Sequence, residues 1–278
     1  MKKQITKKEI NFFAQRLVED EKSKSTMEKY LRDVNKFSEF VGERDVTKDI
    51  VIQYKQHLME NYAPASVNSM LIALNCFFKE IEWNDYKVKI IKIQRQNFRN
   101  KDNELTKEEY YRLLSIARRK NTRLFYLMQT ICATGIRVSE LQFITVEAIN
   151  CERTLISLKG KNRVVLLPET LCRELKKYAK VRNIIKGSIF ITRSGKPLDR
   201  SNILHDMKAL CKDADVEVEK VYPHNLRHLF ACLYYKEIKD LGRLADILGH
   251  SNVNTTRIYT CISGEEQRQQ IEKLGLII

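Results

Sequence analysis

At 278 residues the chain exceeds the roughly 100–200 residues of a typical domain, so two domains are expected. Its 50 lysines and arginines outnumber 35 acidic residues, and the net charge of +15 favours a polyanionic partner, DNA or RNA, bound less tightly as salt rises. No apolar run reaches the ~18 residues of a membrane span, and the start MKKQITKKEINFF lacks the apolar core of a signal peptide; a soluble, cytoplasmic protein with no membrane partner is expected.

Residues 1–91 read as four or five short helices forming a small all-α domain. Thr6 with Glu9 and Ser25 with Glu28 have the spacing of capping boxes, in which a hydroxyl and a carboxylate satisfy free backbone amides at a helix start. Tyr30, Val34, Phe37 and Val41 recur at helical spacing, as do Val67, Leu71, Leu74 and Phe78 after Pro64, and such stripes are expected to pack as core. Residues 92–104 are polar and basic without an apolar period and read as a linker. Thr106 with Glu109 repeats the capping-box spacing and opens a second domain, 105–278. Both halves are basic, which suits a clamp around a duplex.

Within the second domain, TLISLKGKNRVVLLP interrupts the helical pattern. Two β-branched, apolar runs flank Gly160, Lys161 and Asn162, the composition of a tight hairpin. SIFITRSGKPLDR reads as either a short third strand or an extended loop. GEEQRQQIEKLGLII reads as a helix with an apolar tip, Leu274, Leu276, Ile277 and Ile278, which either folds back or docks on a neighbouring subunit. The fold class is therefore mainly α, a helical domain followed by an α-rich domain with a small antiparallel hairpin. Seven widely spaced cysteines without a CxxC pair indicate neither a zinc site nor a disulfide framework; most are expected to be small buried residues.

Three further stretches carry chemistry. TGIRVSEL supplies Arg137, with Glu140 one turn later as either an orienting partner or a surface carboxylate. In PHNLRH, Pro223 fits the first turn of a helix, so His224 and Arg227 share one face while Leu226, Phe230 and Leu233 line another. In LGHSNVNTTRIYT, Gly249 is positioned to end a helix and put His250 at a turn, and Asn254 or Thr255 to cap the helix that carries Tyr259. Arginine forks suit phosphate oxygens, a tyrosine can serve as a covalent nucleophile whose phenolate the arginines favour, and a lysine at the hairpin turn, Lys159 or Lys161, can protonate a departing 5′ oxygen. His57 and His228 are left as structural histidines.

Taken together, TGIRVSEL, KGKNRVVLLP, PHNLRH and LGHSNVNTTRIYT resemble the signature of the tyrosine recombinases, the lambda-integrase and Xer group. The resemblance spans roughly residues 105–265, and more loosely identifies residues 1–91 with a DNA core-binding domain. It implies that Arg137 and Arg227 are the catalytic arginines, Lys159 the hairpin lysine, His224 and His250 the remaining motif residues and Tyr259 the nucleophile. It further implies a 3′-phosphotyrosine intermediate on double-stranded DNA, no cofactor, neither ATP nor metal, and a homotetramer on two DNA sites with residues 264–278 passed to a neighbour. The short layout ahead of the motifs suits a simple Xer-like or small-integrase protein. Departures are a tighter hairpin, Leu229 for a frequent Thr and Cys261 for a frequent His. The competing readings are a type IB topoisomerase-like DNA-relaxing enzyme and a DNA-binding protein without catalysis; the intact residue set argues against the latter.

Overall fold

Helix α1 (Lys7–Glu19) starts where Thr6 and Glu9 close a reciprocal capping box. Helix α2 (Lys24–Val41) starts earlier than its Ser25–Glu28 spacing predicts. Ser23 is in extended backbone and its Oγ accepts from the Thr26 amide at 3.3 Å, so Ser25 falls inside the first turn. Helices α3 (Lys48–Asn61) and α4 (Pro64–Glu80) follow, the latter with proline in its first turn, where a missing N–H has no intrahelical partner to lose. The computed structural model describes residues 3–93, 103–158, 161–192, 194–250, 252–259, 268–269 and 271–274. It divides into units 1–95 and 96–278, a boundary inside the segment read as a linker.

In the first unit, α1–α4 bury Phe13 and Leu17 together with Val34, Phe37, Val41, Val67, Leu71, Leu74 and Phe78 of the stripes expected from spacing, while Tyr30 of the same stripe is only partly buried against them. Each such side chain contributes about 1.5–3 kcal/mol on leaving water. The chain after α4 is held by two amides on one face of that helix. Asn75 donates to the Val88 carbonyl at 2.8 Å and accepts from its amide at 3.0 Å; Asn68 does the same for Ile91 at 2.8 and 2.7 Å. These side chains replace the missing strand partner of an extended segment.

The second unit runs α5 (Lys107–Lys120), α6 (Thr122–Thr134), a 3₁₀ run Val138–Phe143, α7 (Val146–Asn150), β1 (Arg153–Leu158), β2 (Lys161–Leu166), α8 (Glu169–Val181), α9 (Arg200–Lys208), α10 (Cys211–Ala214), α11 (Pro223–Ile238) and α12 (Leu241–Leu248). Thr106 and Glu109 form the capping box of α5. Composition puts Gly160, Lys161 and Asn162 between the strands, but Leu158 pairs with Lys161 and Ser157 with Asn162, so Lys161 and Asn162 lie on β2; residues 159–160 are outside the described residues. SIFITRSGKP makes two isolated bridges, Thr145 with Ser188 and Ile191 with Pro197, and no third strand among the described residues. The core gathers α5, α6 and α8 with the inner face of the hairpin, Ile156 and Val165.

Of the six described cysteines, Cys172 and Cys211 are buried, Cys76, Cys132 and Cys232 half-buried and Cys151 exposed, so full burial holds for only two of these six. Among the described residues no helix is long and apolar enough to cross a membrane. The expected C-terminal helix lies largely outside the described residues, apart from short helical text at 268–269 and 271–272.

Candidate active site

Two tight helix ends bring the motifs together. Helix α6 stops at Gly135, whose φ of +66° is left-handed, and a Cβ there would stand 2.5 Å from the Phe230 ring. Only a glycine lets this turn lie against α11. The chain then reverses into Arg137, whose amide donates to Glu140 Oε2 at 2.7 Å. Helix α12 ends at Gly249, with φ +64°, and hands the chain to His250 as the sequence predicts. The following caps differ from expectation. Asn252 caps a 3₁₀ turn, Val253–Thr255, and Tyr259 ends a second one, Arg257–Tyr259, instead of riding a helix capped by Asn254 or Thr255.

Arg227 is the centre of the arrangement. It is 1 % exposed, donates through Nη1 to the Gly135 carbonyl at 2.6 Å and through Nη2 to the Leu248 carbonyl at 2.7 Å. Both helix ends are thereby tied to one guanidinium. Nη2 also lies 3.0 Å from His250 Nε2, and His250 Nδ1 lies 2.9 Å from Thr256 Oγ1. A guanidinium only donates, so Nε2 accepts and the proton sits on Nδ1, pointing to Thr256. Burial, reinforced by the charges of Arg227, Arg137 and Arg163, pushes His250 down to about 4. His224, half-buried at the start of α11, is lowered by burial and by Arg227, His228, Arg137 and Arg200. Both imidazoles are neutral near pH 7. Burial also lowers Arg227 to about 10, which leaves it a cation at neutral pH.

Tyr259 is 3 % exposed, in a small cluster with Ala231, Leu244 and Leu248. Its ring lies nearly parallel to His250, centroids 6.4 Å apart and planes at 12°. Burial raises the phenol above its ordinary value despite the opposing pull of Arg227 and Arg137. The expectation that two arginines favour the phenolate is therefore corrected for this state: desolvation outweighs them and the phenol stays protonated.

Glu140 and Arg163 complete the centre. Glu140 is 2 % exposed; Arg163 grips it with a fork, Nη1 to Oε1 and Nη2 to Oε2, both 2.8 Å, and Arg137 Nη1 adds a third contact at 3.1 Å. Of the two readings of Glu140, the orienting partner is the one the structure contains. Arg163 was not anticipated. A signal existed: on β2 it shares the face of Val165, opposite Ile156, while Leu155 and Val164 point outward, so strand alternation puts a cation inward where it needs a buried acid. Arg163 also roofs Gly249, where a Cβ would meet its Cδ at 2.7 Å. Two cavities share Arg137, one lined by Arg200, His224 and Arg227 and the other by Glu140, Arg163, Gly249 and His250. The structure thus gathers Arg137, His224, Arg227, His250 and Tyr259. Lys159 lies outside the described residues, as does Cys261; Lys161 opens β2.

The phage integrase family matches residues 103–266 and the phage integrase N-terminal SAM-like domain residues 10–88. Tyrosine recombinase XerA of Thermococcus kodakarensis is 32% identical over 266 residues, covering 92% of this chain and 91% of the relative. Tyrosine recombinase XerD of Vibrio cholerae is 26% identical over 270 residues, covering 89% of each. Among solved structures, a lambda integrase dimer bound to a COC' core site shares the fold with a TM-score of 0.74 at 17% identity, covering 91% of this chain and 94% of that one. A pre-cleavage complex of XerH with its difH substrate gives 0.70 at 22%, covering 90% and 79%.

Proposed function

Because the chain belongs to the phage integrase family and is a tyrosine recombinase, we propose that Tyr259 is its nucleophile and that Arg137 and Arg227 hold the scissile phosphate. The observation that carries the reading is the meeting of Tyr259 and His250, from one stretch of sequence, with the buried guanidinium of Arg227 from another. Arg227 Nε is a buried donor with no hydrogen-bond partner among the described residues, in keeping with a site built for an anion.

In the proposed reaction a DNA phosphate enters between the arginines, whose forks neutralise its oxygens. The Tyr259 oxygen attacks phosphorus and forms the 3′-phosphotyrosine while the bond to the 5′ oxygen breaks. The phenol proton passes to neutral His224. The 5′ oxygen takes its proton from a hairpin lysine, Lys159 in this assignment with Lys161 as the alternative. Resealing reverses these steps with a 5′ hydroxyl from another strand. The phosphotyrosine conserves the bond energy, so neither ATP nor metal is required. Residues 1–91 bind the core DNA site, and the working form is a homotetramer on two duplex sites, with residues 264–278 exchanged between neighbours. Activity in the cytoplasm on a mobile element or chromosomal site belongs to the same proposal.

Covalent trapping tests it. The protein is incubated with nicked duplexes taken from DNA flanking its gene and resolved on a denaturing gel. A protein–DNA band that survives denaturation and is lost in Tyr259→Phe, with unchanged DNA binding, is expected. Persistence of the band in Tyr259→Phe would refute the assignment.

A further inference from the structure

Helix α11 carries a second row of polar contacts beside His224 and Arg227. Asn225, 3 % exposed, donates from Nδ2 to the carbonyls of Asn103 at 3.0 Å and Lys220 at 2.7 Å. One turn later, His228 Nε2 lies 3.1 Å from Glu104 Oε1, with both side chains largely buried. Lys220 in turn pairs with Glu109, the carboxylate that caps α5. The helix that presents His224 and Arg227 to the cavity therefore also grips residues 103–104, the stretch that leads into α5.

The His228 ring lies 5.1 Å from the Tyr259 ring, tilted by 53°. Tyr259 thus touches two imidazoles. One, His250, is fixed by Arg227 and Thr256; the other, His228, is fixed by Glu104. The tyrosine ends a three-residue 3₁₀ turn, a conformation whose poorer hydrogen bonds give the backbone little hold on the ring. Its ring packs in the cluster of Ala231, Leu244 and Leu248, and the two imidazoles add ring contacts to that hold. An imidazole over an aromatic ring can rotate, and a carboxylate accepting from Nε2–H stops that rotation.

We propose that His228, locked by Glu104, is a positioning residue for Tyr259, so that the segment entering the catalytic unit takes part in aiming the nucleophile. This rests on the recombinase reading. The acceptor and the ring contact are separable chemically, which makes the proposal testable.

The measurement is the single-turnover cleavage rate on a nicked duplex that gives wild-type protein its covalent band, with the Kd for the same duplex measured in parallel. Displacing a reacting group by ~1 Å costs up to about a hundredfold in rate, so Glu104→Ala and His228→Ala are each expected to slow cleavage on the order of tenfold to a hundredfold with unchanged Kd. The double variant should be no slower than either single one, because both act through one contact. Glu104→Gln, whose amide oxygen still accepts from Nε2–H, should retain most of the rate. His228→Phe keeps a ring on Tyr259 without the Glu104 bond and should be slow; it also serves if an alanine variant does not fold. Wild-type rates in Glu104→Ala or His228→Phe, multiplicative losses in the double variant, or a weaker Kd matching the lost rate would each overturn the proposal. A wild-type protein that forms no band on any duplex strikes the recombinase reading itself, a separate failure.

Discussion

Replacing Arg163 by alanine should damage both the stability and the chemistry of the catalytic unit. The fork to Glu140 is made of two 2.8 Å bonds to a carboxylate only 2 % exposed. Removing one partner of such a buried pair costs about 3–5 kcal/mol, because the remaining charge stays buried. The Arg163 side chain keeps 15 % of its exposure and Arg137 still touches Glu140, so the low end, about 3 kcal/mol, applies. In a unit of this size that corresponds to a fall in Tm of about 6–12 °C by differential scanning calorimetry. The pH dependence has a definite sign. Burial would raise the Glu140 carboxyl, but the Arg163 fork, the Arg137 amide and both arginine charges hold it below its ordinary 4.5. A depressed carboxyl stabilises the fold above its unfolded value and loses that contribution as pH falls through the native one. The gap between Arg163→Ala and wild type should be full at neutral pH and close in acid below 4.5. Arg163→Lys, with the charge but not the fork, should fall between. An alanine variant that melts with the wild type and cleaves at its rate would refute the argument.

Gly249→Ala forces a left-handed φ of +64° on a residue with a Cβ and drives that carbon into Arg163, so a loss of about 1–3 kcal/mol is expected in denaturant melts. Unchanged stability would mean the turn relaxes freely. Since His250 is pushed down to about 4, its imidazole in DNA-free protein should remain the neutral Nδ1–H form across about pH 5–8, read by nitrogen-detected NMR; a midpoint near 6.5 would contradict it. Asn75→Ala removes both bonds to Val88 and should destabilise the first unit by about 1–3 kcal/mol while the second unit's calorimetric transition stays in place. A shift of the second transition alone would refute that assignment.

The parts of the fold legible in sequence are those set by local chemistry. The capping boxes at Thr6 and Thr106, the apolar stripes of α2 and α4, and the glycine end at Gly249 depend on a few neighbouring residues. The start of α2 escaped because Ser23 and Ser25 compete for the same amides, and backbone geometry decides between them. In the site, residue types and order pointed to Arg137, His224, Arg227, His250 and Tyr259, but their partners are distant in the chain. Arg227 binds carbonyls at residues 135 and 248, and Glu104 meets His228; no local pattern announces a backbone oxygen as a ligand. The Tyr259 phenol was misjudged for a related reason. Its opposing charges are visible in sequence, whereas its burial is a property of the packed cluster.

Burial and charge together explain why Tyr259, the proposed nucleophile, stays protonated. Arg137 and Arg163 share a single buried carboxylate, Glu140, with Arg227 nearby, and burial first and these cationic neighbours second lower Arg227, His224 and His250. Burial opposes charging either histidine and the neighbouring cations add to that, so both remain neutral. Neutral imidazoles leave the phenol without a cationic partner beyond the arginines, and its burial then keeps it protonated. A phosphate entering between Arg137 and Arg227 brings the missing negative charge. On the proposed reaction it would relieve the repulsion and raise the proton affinity of His224, making that histidine a better acceptor for the Tyr259 proton once the phosphate is bound. Under that proposal, the same cationic excess that favours DNA would withhold reactivity until DNA is bound.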